Sequence, residues 1–217
     1  MSSRSKKILL WTGAALSVPL LLVLLLLWWA GSQGSLARTL QLAQRWLPAD
    51  QHLAAIQVQG SLTGGGLIKQ LQWSKPGTSV VIDDLRLQWS LRQLLGRDLR
   101  IRVLSATRIH VRTTPQPDKP DQPFIMPKAV TLPIRITLPV TVQRFELESV
   151  DEASASRVLV LADIVAGYSY DGRLHELRLS SLRYGQSQAQ GSAQLDGRTL
   201  ALVAQARATL RDLVADT

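Results

Sequence analysis

The segment LRIRVLSATRIHV, residues 99–111, alternates apolar and polar side chains over most of its length. Arg100 and Arg102 take even positions, and apolar side chains take most of the odd ones. Because successive side chains of a strand point to opposite faces, the pattern predicts a long β-strand with one apolar and one solvated face.

A second such segment starts at Ile134 and keeps one apolar parity as far as Val142, after which the parity changes. Pro139 within it predicts an edge strand or a bulge, because proline cannot donate to a strand ladder. The two segments predict one apolar face, formed by Leu99, Ile101, Val103, Ile109, Val111, Ile134, Ile136, Leu138, Val140 and Val142. The alternation leaves open whether an opposing sheet or acyl chains cover this face.

The flanking sequence predicts more strands joined by tight turns. A triple glycine, residues 64–66, separates two alternating runs and predicts a hairpin. Residues 80–89 predict a third strand, whose apolar parity shifts across Asp83 and Asp84 as at a bulge. Two further hairpins are predicted, with turns at Asp171-Gly172 and Asp196-Gly197. The fold class is therefore mainly β, an elongated antiparallel sheet grown hairpin by hairpin.

The N-terminal part contains an apolar stretch that begins at Ile8 and ends at Ala30 without one charged residue. As a helix it is long enough to cross the bilayer core of about 30 Å. The charges of Arg4, Lys6 and Lys7 precede it and place the N-terminus in the cytoplasm. The alternative is a cleavable signal peptide, which has a shorter apolar core and small residues before the cut.

After the span, apolar residues at helical spacing predict a short amphipathic helix from Ser35, its N-cap, to Leu47, with Pro48 as the stop. This helix is expected either to lie at the membrane interface or to cap the first open end of the sheet. The proline-rich residues 113–133 predict an exposed loop.

The chain is thus expected to divide into six parts. These are a cytoplasmic N-terminus (1–7), a transmembrane helix (8–30), a juxtamembrane helix and connector (31–55), a first β segment (56–112), the proline-rich loop (113–133) and a second β segment (134–217).

The composition narrows the function class. The chain has no cysteine, so an exported domain cannot rely on disulfides, and thiolate chemistry is excluded. Its net charge of +9 invites a nucleic-acid partner, but the arginines are spaced singly along strands outside the cytoplasm. A solvated arginine-rich face, or attraction to anionic lipid headgroups, suits this arrangement better.

No catalytic or metal-binding pattern is present in the sequence. His52, His110 and His175 lack partners at metal-ligand spacing and are expected at the surface. The acidic pairs, Asp83 with Asp84 and Asp151 with Glu152, lie in turn-like contexts. We therefore expect no enzyme, no cofactor, no metal site and no small-molecule substrate.

The order of motifs resembles the N-terminal part of the TamB family, which is related to AsmA-like, bridge-like lipid transfer proteins. The likeness rests on AQRWLP (43–48), VQGSLTGGGLIKQLQW (58–73), the long segment from 80 to 112, the proline-rich loop, and LPIRITLPVTVQRFELESV (132–150). It covers nearly the whole chain. Because family members are several times longer, the resemblance also implies that the second β segment continues in a longer parent chain.

The resemblance implies a single-pass protein of the bacterial inner membrane, with most of the chain in the periplasm. It implies a curled sheet, the β-taco, whose apolar groove carries phospholipid between the two membranes. It also implies a partnership with the outer-membrane barrel TamA in autotransporter and outer-membrane protein assembly. The ten residues of the apolar face would then line the lipid groove. The alternatives are a lipopolysaccharide-export component and a periplasmic protein-binding scaffold.

Overall fold

The computed structural model describes residues 26, 28–90, 93, 96–114, 129–150 and 156–210. The described chain is mainly β, with short helical segments before a nine-stranded sheet. The elements are α1 (Ser35–Trp46), β1 (His52–Ser61), β2 (Gly65–Lys75), β3 (Thr78–Trp89), β4 (Asp98–Thr113), β5 (Arg135–Val150), β6 (Ser156–Tyr170), β7 (Leu174–Tyr184), β8 (Ser187–Asp196) and β9 (Leu202–Thr209).

The nine described strands pair in the order of the sequence, from β1 to β9. Seven neighbouring pairs are antiparallel, but β4 and β5 run parallel, so the expectation of a purely antiparallel sheet is wrong at this point. The proline-rich connection is the cause. It leaves β4 where the N–H of Thr114 donates to Gly77, and it rejoins the sheet at the opposite end, where the N–H of Arg135 donates to Arg97.

The predicted glycine hairpin is confirmed between β1 and β2. Gly60 and Gly65 have φ values of 116° and 86°, a region that side chains with a Cβ rarely adopt. A Cβ on Gly65 would also collide with the carbonyl of Leu87 in β3. The glycines therefore allow three backbone segments to approach closely at this end of the sheet.

One row of residues crosses six strands without regular ladder pairing. Regular pairing is present on both sides of the row but skips its members, which are Gln57, Lys69, Asp84, Thr107, Gln143 and Asp163. Gln57, Asp84 and Asp163 have left-handed backbones, with φ between 50° and 52°. We call this line the parity-switch row, because apolar residues change from one parity to the other across it.

The parity shift predicted at Asp83 and Asp84 lies in this row. It is not a bulge in the pairing of β3 with β2, because Ile68 faces Leu85 and Leu71 faces Ile82 in unchanged register. Neighbouring strands switch together, so the main run of apolar residues in each strand stays on one face of the sheet.

The predicted amphipathic helix is confirmed as α1, but its N-cap is Gly34 and not Ser35. Gly34 has φ 87°, which suits glycine, whereas Ser35 is already helical. Leu36 of α1 forms a buried cluster with Ile68 and Leu85 of the sheet. Leu40, Ala55, Val58, Leu62, Leu71, Ile82, Leu87 and Leu104 pack around this cluster. The helix therefore caps the apolar face over β1–β3.

The expected membrane span lies almost entirely outside the described residues. Among the described helices, none is long and apolar enough to cross a membrane. Arg4, Lys6, Lys7 and Ile8 are outside the described part, and so are Asp151 and Glu152. Ala30 is described and helical, and its carbonyl accepts a hydrogen bond from the N–H of Thr63 at 3.3 Å.

Candidate functional site: the apolar face of the sheet

The face that α1 covers continues across the later strands. We call it the apolar face. Leu87, which packs on the buried cluster, pairs with Leu104, and Ile82 pairs with Ile109. From there, two rows extend the face through β5 to β6. They are Ala106, Val142 and Ile164 on one side of the parity-switch row, and Ile109, Phe145 and Leu161 on the other.

Most of the ten residues predicted from alternation fall on rows of this face. Val111 pairs with Val80 and Leu147, and Leu99 pairs with Ile136. Leu138, Val140 and Val142 follow Ile136 at alternate positions of β5, and Val142 is buried. Ile134 immediately precedes this strand.

Val103 lies elsewhere, because β4 does not keep one parity from Leu99 to Val111. It pairs with Gln88, whereas its neighbour Leu104 pairs with Leu87 on the apolar face. The register shifts between Gln88 and Trp89, so the side chain of Val103 belongs to the opposite face. Alternation alone missed both Leu104 and the buried Ala106, since each has the other parity.

The irregular pairing of this part of β4 also explains how β5 accommodates Pro139. Its strand β5 lies between β4 and β6, so the edge-strand alternative is wrong. The pairing with β4 is interrupted between Arg100 and Ser105, opposite the part of β5 that contains the proline. A missing N–H donor is tolerated where the ladder is already broken. Beside this break, Ile101 and Leu138 line a cleft of about 380 Å³ with Tyr168 and Arg178.

The coverage of the apolar face changes along the sheet. Ile68, beneath α1, is 2% exposed, whereas Leu177 in β7 is 52% exposed and Leu202 in β9 is 65% exposed. Both exposed leucines pair with residues of the same face, Ala193 and Leu195. In the described part of the chain, strands β4–β9 pack mainly on their neighbours in the sheet, and no helix packs extensively on them. The end of the proline-rich connection covers only the ends of β6–β8, where Val130 and Leu132 bond to His175 and Tyr170.

The opposite face carries ion pairs, together with exposed valines such as Val158 and Val165. Glu146 is buried to 6% exposure and accepts hydrogen bonds from Arg108 of β4 and, at 2.5 Å, from Arg144 of its own strand. The hydrogen bond from Arg108, with a smaller contribution from Arg144, holds the pKa of Glu146 below its usual value, although burial opposes this. These contacts link the two parallel strands through their side chains.

His175 is buried, so the expectation that it lies at the surface is wrong. Its Nε2 donates to the carbonyl of Val130 at 2.7 Å, and its Nδ1 lies 2.7 Å from the hydroxyl of Tyr168. Tyr170 stacks on the imidazole with 4.3 Å between ring centroids. This cluster fixes the end of the proline-rich connection to the sheet. Nothing in the sequence indicated it, because a single histidine has no neighbouring pattern that predicts such contacts.

No arrangement in the described residues suggests catalysis. Within this part of the chain, no group of three or more His, Asp or Glu residues could hold a metal ion. The most extensive feature is the apolar face, which can interact with apolar groups over several strands.

The sheet and its apolar face define a mainly β protein whose main feature is a surface for apolar groups, and comparison with known proteins identifies its family. A family model described as TamB, N-terminal domain, matches residues 21–199. No curated protein and no solved structure matches the chain. The match covers most of the chain, which therefore belongs to the TamB N-terminal domain family.

Membership in this family has implications for the role, the partner and the location of the chain. It implies a role associated with the translocation and assembly module and a partnership with TamA. It also suggests a location at the inner membrane and in the periplasm. TamB proteins have structural and transport roles and are not enzymes.

Proposed function

We propose that the chain is an inner-membrane anchored segment of a lipid conduit, in which the sheet curls around its apolar face and phospholipid acyl chains occupy the groove. The anchor is the stretch from Ile8 to Ala30, residues 1–7 lie in the cytoplasm, and the chain after the anchor lies in the periplasm. In this role it takes part in phospholipid transport between the membranes and in outer-membrane protein and autotransporter assembly, together with TamA.

The observation that carries the proposal is the continuity of the apolar face beyond its helical cap. Rows of aliphatic and aromatic residues cross from β3 to β6, and among the described elements no helix packs extensively on β4–β6. Water contact with such a face is unfavourable, by about 25 cal/mol for each Å² of apolar surface. Acyl chains are suitable occupants because they need no specific polar partner.

Photo-crosslinking of the full chain in cells tests the proposal. A crosslinking side chain at Val140 should capture lipid, whereas one at Thr141, the next residue on the opposite face, should capture little. Val103 and Leu104 form a second matched pair, in which both natural residues are apolar but only Leu104 lies on the apolar face. Equal lipid capture within each pair would overturn the groove.

Native mass spectrometry of the detergent-purified chain then identifies the occupant. Co-purified phospholipid supports the proposal. Bound lipopolysaccharide would favour an export component for that lipid, and the absence of any lipid together with bound periplasmic protein would favour a scaffold.

A further inference from the structure

The surface of α1 that faces away from the sheet combines large apolar and basic side chains. Trp46 is 87% exposed and Leu42 is 47% exposed. Arg38 and Arg45 are exposed on the same helix, whose sequence, SLARTLQLAQRW, contains no acidic residue. Positions 38, 42, 45 and 46 recur at spacings of three and four residues, so they share one side of the helix. We call this set the outer surface of α1.

The orientation of this surface is fixed by the other side of the helix. Leu36 is buried against the sheet and Leu40 packs beside it. The first turn of α1 lies at the end of β1, where the N–H of Gly34 donates to Gly60 at 2.9 Å. After Trp46, a connection of five residues, 47–51, leads into the other end of β1. The helix therefore runs antiparallel to the first strand, at the edge of the sheet nearest to the expected span.

Ser35 joins this helix to the residues that precede it. Its side chain is 1% exposed, and its hydroxyl lies 2.8 Å from the carbonyl of Ala30 and accepts the N–H of Leu62 at 3.1 Å. The N–H of Thr63 donates to the same carbonyl of Ala30. The end of the preceding helical residues, α1 and the β1–β2 turn are thus held together by one buried hydroxyl and its neighbours.

We propose that the outer surface of α1 docks on the anionic surface of the bilayer in which the chain is anchored. Trp46 and Leu42 enter the interface, while Arg38 and Arg45 extend their stems along it and pair with lipid phosphates. One helix then has two roles, because its inner side closes the first end of the apolar face and its outer side rests on the membrane. The inference rests on the proposed anchor at residues 8–30.

Spin labelling of the full chain in vesicles tests this surface. Since the natural chain has no cysteine, single substitutions Leu42→Cys, Trp46→Cys and Gln194→Cys each give one labelled site. Gln194 is exposed on β8, far along the sheet from α1. The vesicles contain either phosphatidylcholine alone or a mixture with phosphatidylglycerol, and accessibility to oxygen is compared with accessibility to a water-soluble nickel chelate.

Labels at positions 42 and 46 should be more accessible to oxygen than to the chelate in vesicles with phosphatidylglycerol, and the label at 194 should show the reverse. Arg38→Gln and Arg45→Gln, added to the labelled chain, should each reduce the lipid-inserted fraction relative to the water-exposed fraction by about fivefold. Circular dichroism and the label at 194 show whether the fold is unchanged.

Two results would overturn the inference while leaving the anchor intact. One is chelate accessibility at 42 and 46 equal to that at 194 in chains that float with the vesicles. The other is a short distance between labels on different chains, which would assign the surface to a second copy. Chains that do not float with vesicles after an alkaline wash would instead contradict the anchor and the proposed function.

Discussion

Two parts of the apolar face have the same chemistry but different surroundings. Over β1–β3, Leu36 of α1 closes the face and leaves Ile68 and Leu85 buried. From β4 onward the same kind of row continues without a covering helix among the described residues, and Leu177 is half exposed. Alternation in sequence therefore indicates most of the apolar face, whereas coverage by another element decides whether that face is a core or an accessible surface.

The largest expected difference between the two parts is in stability. Ile68→Ala should lower the free energy of unfolding by about 2–5 kcal/mol, because it leaves a cavity beneath α1. Leu177→Ala should change it by about 0.5 kcal/mol or less, as for other exposed positions. Urea unfolding of the detergent-solubilised full chain, followed by tryptophan fluorescence, measures both. Equal losses of stability at the two positions would mean that the apolar face at β7 is also a buried core.

The join between the cap and the sheet provides the next comparison. Ser35→Ala removes the buried acceptor of the Leu62 N–H and should cost about 1–3 kcal/mol. Thr39→Ala is the matched control, since its hydroxyl donates to the carbonyl of Ser35 within the same helix. Hydrogen exchange should accelerate at Leu62 in the first variant and remain near its original rate in the second. Unchanged exchange in both would exclude Ser35 as the joining residue.

Much of this architecture follows from local sequence. The glycine hairpin, the later hairpins and α1 were all predictable, because turn residues and helical periodicity act over a few neighbours. The parity shift at Asp83 and Asp84 was also visible in sequence. The sequence did not reveal that Gln57 and Asp163 adopt the same left-handed backbone in the parity-switch row, since this depends on pairing between distant strands.

The points at which the structure differs from the sequence-based predictions also depend on contacts between residues far apart in the chain. Val103 has the parity of Leu99 and Ile101, but a register shift against β3 moves it to the other face. His175 is polar and isolated in sequence, yet Tyr168, Tyr170 and the returning connection bury it. The parallel pairing of β4 and β5 depends on where a proline-rich segment of 21 residues, 113–133, rejoins the sheet, which residue types alone do not specify.

Acid should weaken the polar face and the β8–β9 turn before it affects the apolar face. Arg108 lowers the pKa of Glu146, and the N–H of Thr199, with help from Arg173, lowers that of Asp196. A carboxylate whose folded-state pKa is depressed stabilises the fold above its unfolded pKa of about 4, and this stabilisation is lost as the pH falls below it. Unfolding midpoints should therefore decrease between pH 5 and pH 3, by less in Asp196→Asn and Glu146→Gln variants. An equal decrease in these variants would assign the acid sensitivity to other groups.

The smallest expected change in stability is also the most informative about the open part. Leu177→Gln and Glu176→Gln place the same side chain on the two faces of β7, at adjacent positions. Neither should change the free energy of unfolding by more than about 1 kcal/mol, because Leu177 is half exposed and the Glu176–Arg178 ion pair lies at the surface. If acyl chains occupy the apolar face, only Leu177→Gln introduces a polar amide among them, so only this variant should reduce the lipid recovered with the purified chain. Equal lipid recovery from the two variants would mean that acyl chains do not reach β7, and the conduit would then be limited to the strands before it. A loss of lipid with Glu176→Gln alone would place the lipid on the polar face and contradict the groove altogether.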